Sequence, residues 1–90
     1  MTARRYRVEF QPSALRELRK LPRDTLRRIR DATEALRDEP RPEGVIKLAG
    51  GDDLWRIRVG NYRVVYAIHD DRLLVTVVVV GHRRQVYRQR

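Results

Sequence analysis

The feature that most constrains this chain is the run Leu73-Leu74-Val75-Thr76-Val77-Val78-Val79-Val80. Six of its eight residues are β-branched. Such side chains are stiff at the first torsion and pack well on a pleated surface, so the run reads as a strand. Because it is nearly apolar on both faces, it predicts burial on both faces and hence a central strand. A membrane-spanning helix needs about 20 apolar residues, which this run does not approach. Gly81 is expected to end it.

The rest of the chain supplies what such a strand needs around it. Leu54–Val59 and Tyr62–Ile68 read as two strands joined by Gly60-Asn61, a two-residue loop suited to a tight hairpin with positive φ. Tyr6, Val8 and Phe10 alternate with Arg7 and Glu9, the period of a short half-buried strand. Pro12-Ser13 opens a helix with Leu15, Leu18 and Leu21 on one side. Pro22 breaks it and suits the first turn of a second helix. There Leu26, Ile29, Thr33 and Leu36 form an amphipathic stripe, and Pro40 and Pro42 end it. A Gly-, Pro- and Asp-rich loop follows, holding a short apolar patch at Val45 and Ile46. The order strand, helix, helix, strand, strand, strand predicts an α+β fold over residues 1–90 as a single domain. The sheet is small, largely antiparallel and four-stranded, with an N-terminal helical hairpin packed on one face. Its other face is expected to be open and concave.

Charge then becomes informative. The net charge is +9, carried by 19 arginines and two lysines against 12 acids. Residues 1–53 hold 13 basic and 10 acidic side chains, whereas residues 54–90 hold 8 and 2. The excess therefore falls on the sheet. A two-residue loop fixes the hairpin register: Val59 faces Tyr62, Arg58 faces Arg63, Ile57 faces Val64 and Arg56 faces Val65. Alternation puts Arg56, Arg58 and Arg63 on one face, and Trp55, Ile57 and Val59 on the other. Like charges directly opposite each other are destabilising, and an anion between them removes the penalty. Any single arginine reads equally as a solvated residue of an arginine-rich surface. Three on one face point to an anion site, most simply for phosphate, which the guanidinium fork grips through two bonds. A second basic set follows the last strand: His82, Arg83, Arg84, Arg88 and Arg90 with Tyr87, the composition of a segment that stacks a base and holds a phosphate. His82 adds an imidazole, a side chain able to act as general acid or base. His69, Trp55, Tyr62 and Tyr66 read as surface or packing residues.

Several classes fall away. The chain has no cysteine, so it has no disulfide framework, thiolate metal site or cysteine nucleophile. Its two histidines cannot alone make a histidine-rich metal site, and neither a metal nor another cofactor is expected. No carboxylate pair, glycine-rich phosphate loop or Ser/His/Asp set stands out. The N-terminus lacks the apolar core of a signal peptide. A cytoplasmic protein with an acidic partner and no membrane association is expected.

The residues also resemble a known family. Lys47-Leu48, the stretch from Trp55 through Gly60-Asn61-Tyr62-Arg63 to Tyr66, and the ending Val80-Gly81-His82-Arg83-Arg84-Gln85-Val86-Tyr87 look like the RelE/ParE superfamily of bacterial toxins. The opening strand ending at Phe10 and the segment Ala14 to Pro22 fit as well, so the resemblance covers nearly the whole chain. Its RelE-like branch implies the toxin of a type II toxin–antitoxin system, a ribosome-dependent mRNA endonuclease that cuts in the ribosomal A site by 2′-hydroxyl attack. It implies catalytic roles for Arg56, Arg58, Arg63, Arg83 and Tyr87, and RNA contacts by Lys47, His82, Arg84 and Arg88. The best-known member has lysines where this chain has Arg56 and Arg58. Lysine can serve as a base and arginine effectively cannot, so those two positions are expected to stabilise charge rather than take a proton. The ParE-like branch implies instead a DNA gyrase inhibitor, and a third reading is a non-catalytic RNA- or ribosome-binding module. The resemblance also implies three partners: ribosome, mRNA, and an antitoxin, acidic and partly disordered when free, lying along the sheet edge or the helices.

Overall fold

The computed structural model of the protein describes residues 5–49 and 53–82. Two helices cover one face of a five-stranded sheet. The elements are β1 (Arg7–Phe10), α1 (Pro12–Arg19), α2 (Arg23–Ala35), β2 (Ile46–Lys47), β3 (Leu54–Val59), β4 (Tyr62–His69) and β5 (Leu74–His82). The sheet order is β1-β5-β4-β3-β2, so β5, β4 and β3 are interior, with β2 flanking β3 only at Trp55 and Arg56. All pairs are antiparallel except β1 with β5. The α+β class and the helical hairpin match the sequence reading. The fifth strand, β2, is an addition. Its two residues pair Ile46 with Arg56 and Lys47 with Trp55, extending the patch at Val45-Ile46 onto the sheet edge.

The core lies between sheet and helices. Val8 and Phe10 pack against it while Arg7 and Glu9 point away, joined by a 3.1 Å ion pair. The stripe of α2 holds: Ile29, Thr33 and Leu36 are buried. Thr33 is polar, and its Oγ1 donates to the Arg30 carbonyl at 3.0 Å, which satisfies the hydroxyl inside the core. Pro22 stands one residue before α2, at its N-cap, and its carbonyl accepts from the Leu26 N–H at 2.9 Å. In α1 the buried residue is Ala14, with Leu18 beside the core, and Leu15 is 38% exposed. The helix therefore turns Ala14 and Leu18 inward, an i,i+4 pair on one face.

β5 runs through Gly81 to His82, because the hairpin partner β4 extends far enough to pair with both. Between Val65 and Tyr66 the ladder slips: Val65 pairs with Val79 but Tyr66 pairs with Val77, leaving Val78 as a bulged residue. The slip changes the parity of β5. Val75, Val77 and Val80 all reach the buried side, which strict alternation would forbid.

Tyr66 is fully buried, and its hydroxyl donates to the Pro40 carbonyl at 2.7 Å, tying the sheet to the segment after α2. Burial pushes its pKa up to about 12. The folded state thus favours the neutral phenol, and this contribution is complete below the unfolded value near 10 and fades as pH rises through 12. Tyr66→Phe is expected to lower stability by about 1 kcal/mol near neutral pH. It should also lessen the loss of stability between pH 10 and 12 in urea-unfolding series.

Candidate functional site

The hairpin of β3 and β4 builds the site. Gly60 has φ +60°, and Leu73 is the non-glycine residue with positive φ among those described. A positive φ at Gly60 but not Asn61 is the arrangement of a type II′ loop, which asks for glycine at its first central position. The register then follows as expected from the sequence: Arg58 lies across from Arg63, and Arg56 across from Val65. Directly opposed residues share a face, so Arg56, Arg58 and Arg63 stand together on the face away from the helices. Opposed β-carbons sit about 4.5–5.5 Å apart, which brings the Arg58 and Arg63 stems side by side.

This face is not the open surface expected. Arg63 is 6% exposed and Val65 4%. β4 is an interior strand, flanked by β3 and β5. Arg63 is paired with Gly81 on the β5 side, where no side chain stands. Arg56 is half-buried and Arg58 exposed. The gradient runs from a buried cation in the sheet interior to an exposed one on β3. Ile46, 47% exposed, lies across from Arg56 and adds an apolar edge that the charge pattern did not reveal.

The other expected RNA contacts lie elsewhere or outside the described residues. Lys47 is across from Trp55, on the helical face. Its Nζ is 3.6 Å from Asp53 and 5.6 Å from the Trp55 ring centroid, so it does not join the arginines. His82 pairs with Tyr62, which puts it on the helical face at the same end of the sheet as the Gly60-Asn61 loop. Its ring meets the Tyr62 ring edge-on at 5.5 Å and 74°. Arg83, Arg84, Tyr87 and Arg88 lie outside the described residues.

A second charged group occupies the opposite end of the sheet. Arg41 grips Asp70 with two bonds, 2.8 and 3.3 Å, and the Tyr6 hydroxyl donates to the same carboxylate. The Arg41 guanidinium, with help from Tyr6, holds the Asp70 carboxyl below the usual range. Asp70 in turn raises the Tyr6 phenol. Arg41 also lies 5.0 Å from the Trp55 ring centroid. The sequence marked Asp70 as a turn residue and gave no sign of Arg41, because the two are 29 positions apart. This network ties the β4–β5 turn to the segment before β2, and its charges are already matched. The arginine face lies apart from it, on the β3–β4 hairpin.

Chemically, three guanidinium groups of graded burial can hold a phosphodiester and offset charge that builds on its oxygens. A cation in a shielded site acts through a lower effective dielectric than one in water, so Arg63 carries the strongest field of the three.

Known proteins match the chain along nearly its whole length. A family model described as the ParE toxin of the type II toxin-antitoxin system, parDE, matches residues 8–87. The chain is 35% identical over 88 residues to the toxin RelG of Mycobacterium tuberculosis, covering 93% of this chain and 98% of that protein. It is 32% identical over 82 residues to the mRNA interferase toxin RelE of Escherichia coli K12, covering 89% of this chain and 85% of that one. In the crystal structure of the archaeal RelE-RelB complex from Pyrococcus horikoshii OT3, one chain superposes with a TM-score of 0.79 at 35% identity. That match covers 87% of this chain and 94% of the other.

Proposed function

Since the chain belongs to the RelE/ParE superfamily of type II toxins, we propose that it is a ribosome-dependent mRNA endonuclease cutting in the ribosomal A site. The observation that carries this reading is the register of Arg58 on Arg63 with Arg56 beside them. A fold selected for stability alone avoids opposed like charges, whereas a site for a phosphodiester needs them. The mRNA interferase name of the Escherichia coli relative supports the same substrate.

The reaction needs no cofactor. The 2′-hydroxyl of one nucleotide attacks the adjacent phosphorus, the new O2′–P bond forms, and the P–O5′ bond breaks. A cyclic phosphate and a free 5′-hydroxyl result, with one proton leaving the attacking oxygen and one reaching the departing oxygen. Arg56, Arg58 and Arg63 hold the phosphate and neutralise its extra charge in the transition state. Arginine remains protonated, so these residues act by geometry and charge rather than as bases. Arg83 and Tyr87 complete the catalytic set, and Arg84 and Arg88 bind flanking RNA.

The partner that holds the toxin inactive is an acidic antitoxin, partly disordered when free, which orders along the sheet edge or the helices. The net charge of +9 and the RelE-RelB complex of the archaeal neighbour support it. The chain works in the cytoplasm, where ribosomes are. Among the described residues, no helix is long and apolar enough to cross a membrane.

A second reading has one observation in its favour: the family model is that of ParE. Mapping of mRNA 5′ ends in a cell-free translation system separates the two. Cuts within A-site codons that vanish without ribosomes are expected. Intact mRNA together with inhibited DNA supercoiling by gyrase is the result that would replace the nuclease reading.

A further inference from the structure

We propose that Arg28, on the helical layer, is a phosphate contact for the same RNA at the tip of the β3–β4 hairpin. This rests on the RNA-cleaving reading and extends the site from one side of the hairpin to both.

Arg28 is exposed and sits in α2 with Asp24 four residues before it and Asp31 three after. Those are the spacings at which helix ion pairs form. Glu17 with Lys20 and Glu34 with Arg37 pair in this way, at i,i+3. Arg28 does not: among the described residues it makes no ion pair with either aspartate. Its guanidinium lies over Gly60 instead. A β-carbon placed on Gly60 would meet Nη1 at 3.6 Å, and Cζ and Nη2 at 3.9 Å. Near-equal distances to all three atoms mean that the planar group rests broadside on the turn.

Gly60 thus serves two purposes. It adopts the φ of +60° that the loop demands, and its missing side chain leaves the surface on which the guanidinium rests. A guanidinium seated by van der Waals contact, rather than by a carboxylate, keeps its N–H donors for another acceptor.

The surroundings specify that acceptor. Residues 54–69 contain no aspartate or glutamate. Arg58 is two residues before Gly60 and Arg63 three after it, within about 7–10 Å at about 3.3 Å per strand residue. The hairpin tip therefore presents cations from both layers with no acid of its own strands between them. A strand of RNA whose reacting phosphate lies on Arg58 and Arg63 has a flanking phosphate available to Arg28.

Steady-state cleavage on programmed ribosomes and filter binding of a single-stranded RNA oligomer across a salt series test this. Arg28→Gln is expected to raise KM and the RNA Kd about tenfold with kcat unchanged, and to reduce the log–log salt slope by about 0.7. Arg28→Lys should recover much of the loss, because it restores the charge. Arg27→Gln, on another flank of α2, should match the wild type in every measure. Wild-type KM and salt slope in Arg28→Gln would overturn the proposal. So would a fall in thermal midpoint with an unchanged salt slope, which would mark Arg28 as a brace for the turn. A wild-type chain that binds RNA with its full salt slope but never cleaves it would overturn the nuclease reading alone.

Discussion

Replacing Arg63 with glutamine is expected to reduce ribosome-dependent cleavage at least about 100-fold, the range seen when one preorganised donor to a developing oxyanion is removed. The size of the effect follows from position. Arg63 is on an interior strand, 6% exposed, directly across from Arg58. Its charge is screened little by water, so on the proposed reading it is expected to contribute more to a bound phosphate than Arg58 does from the exposed side. Arg58→Gln should accordingly cost less than Arg63→Gln. Glutamine is polar and uncharged but shorter than arginine, so folding is measured beside activity to separate loss of charge from collapse of the sheet. Single-turnover rates, with thermal melting as a check on folding, measure both. Equal losses in the two variants would show that burial does not set the ranking.

The largest effect on stability is expected from Ile29→Ala. Ile29 is completely buried on the inward stripe of α2, among the residues that join helix and sheet. Truncating an isoleucine in such a place costs about 2–5 kcal/mol, from lost transfer energy and the cavity left behind. A domain of this size has about 5–15 kcal/mol in all. Each kcal/mol moves the midpoint by about 4–8 °C, so melting should begin more than about 8 °C lower. Leu15→Ala, in contrast, should change the midpoint little, because Leu15 is 38% exposed.

These contrasts show which parts of the molecule are legible in its sequence. Local rules sufficed where a feature is encoded within a few residues. The Gly60-Asn61 loop fixes the register, and the register fixes which arginines share a face. The stripe Leu26, Ile29, Thr33 and Leu36 runs along α2 to its C-cap, and three of its four members are buried. Features that arise between distant segments were hidden. β2 is two residues long, too short for any period to register, and exists only because β3 offers an edge. The bulge at Val65/Tyr66 depends on how β5 meets β4, and a run of four valines carries no mark of which one is skipped. Leu15 and Ala14 are adjacent, and only the sheet beneath decides which of them is buried. His82 follows the last apolar residues at a point that looked close to the arginines, but alternation along β5 sends it to the other face. Arg28 and Arg41 were two of many arginines until packing set one on Gly60 and the other on Asp70.

The site is therefore best understood as a hairpin that forces like charges together. Its stability comes from the opposite face, where Ile57, Val64 and Tyr66 join the core. The burial of that face fixes the register that sets Arg58 across from Arg63.

Whether the chain is a ribosome-dependent nuclease is decided most directly by cleavage of a 5′-labelled mRNA of defined sequence by the purified chain. It is run with ribosomes that hold a single known codon in the A site, and again without ribosomes. A single cut inside that codon is expected, with a cyclic phosphate on the upstream fragment and a 5′-hydroxyl on the downstream one. No cut is expected without ribosomes, and almost none with Arg63→Gln. Cleavage at full rate by a folded Arg63→Gln variant would contradict the account, as would intact mRNA on ribosomes that the chain demonstrably occupies.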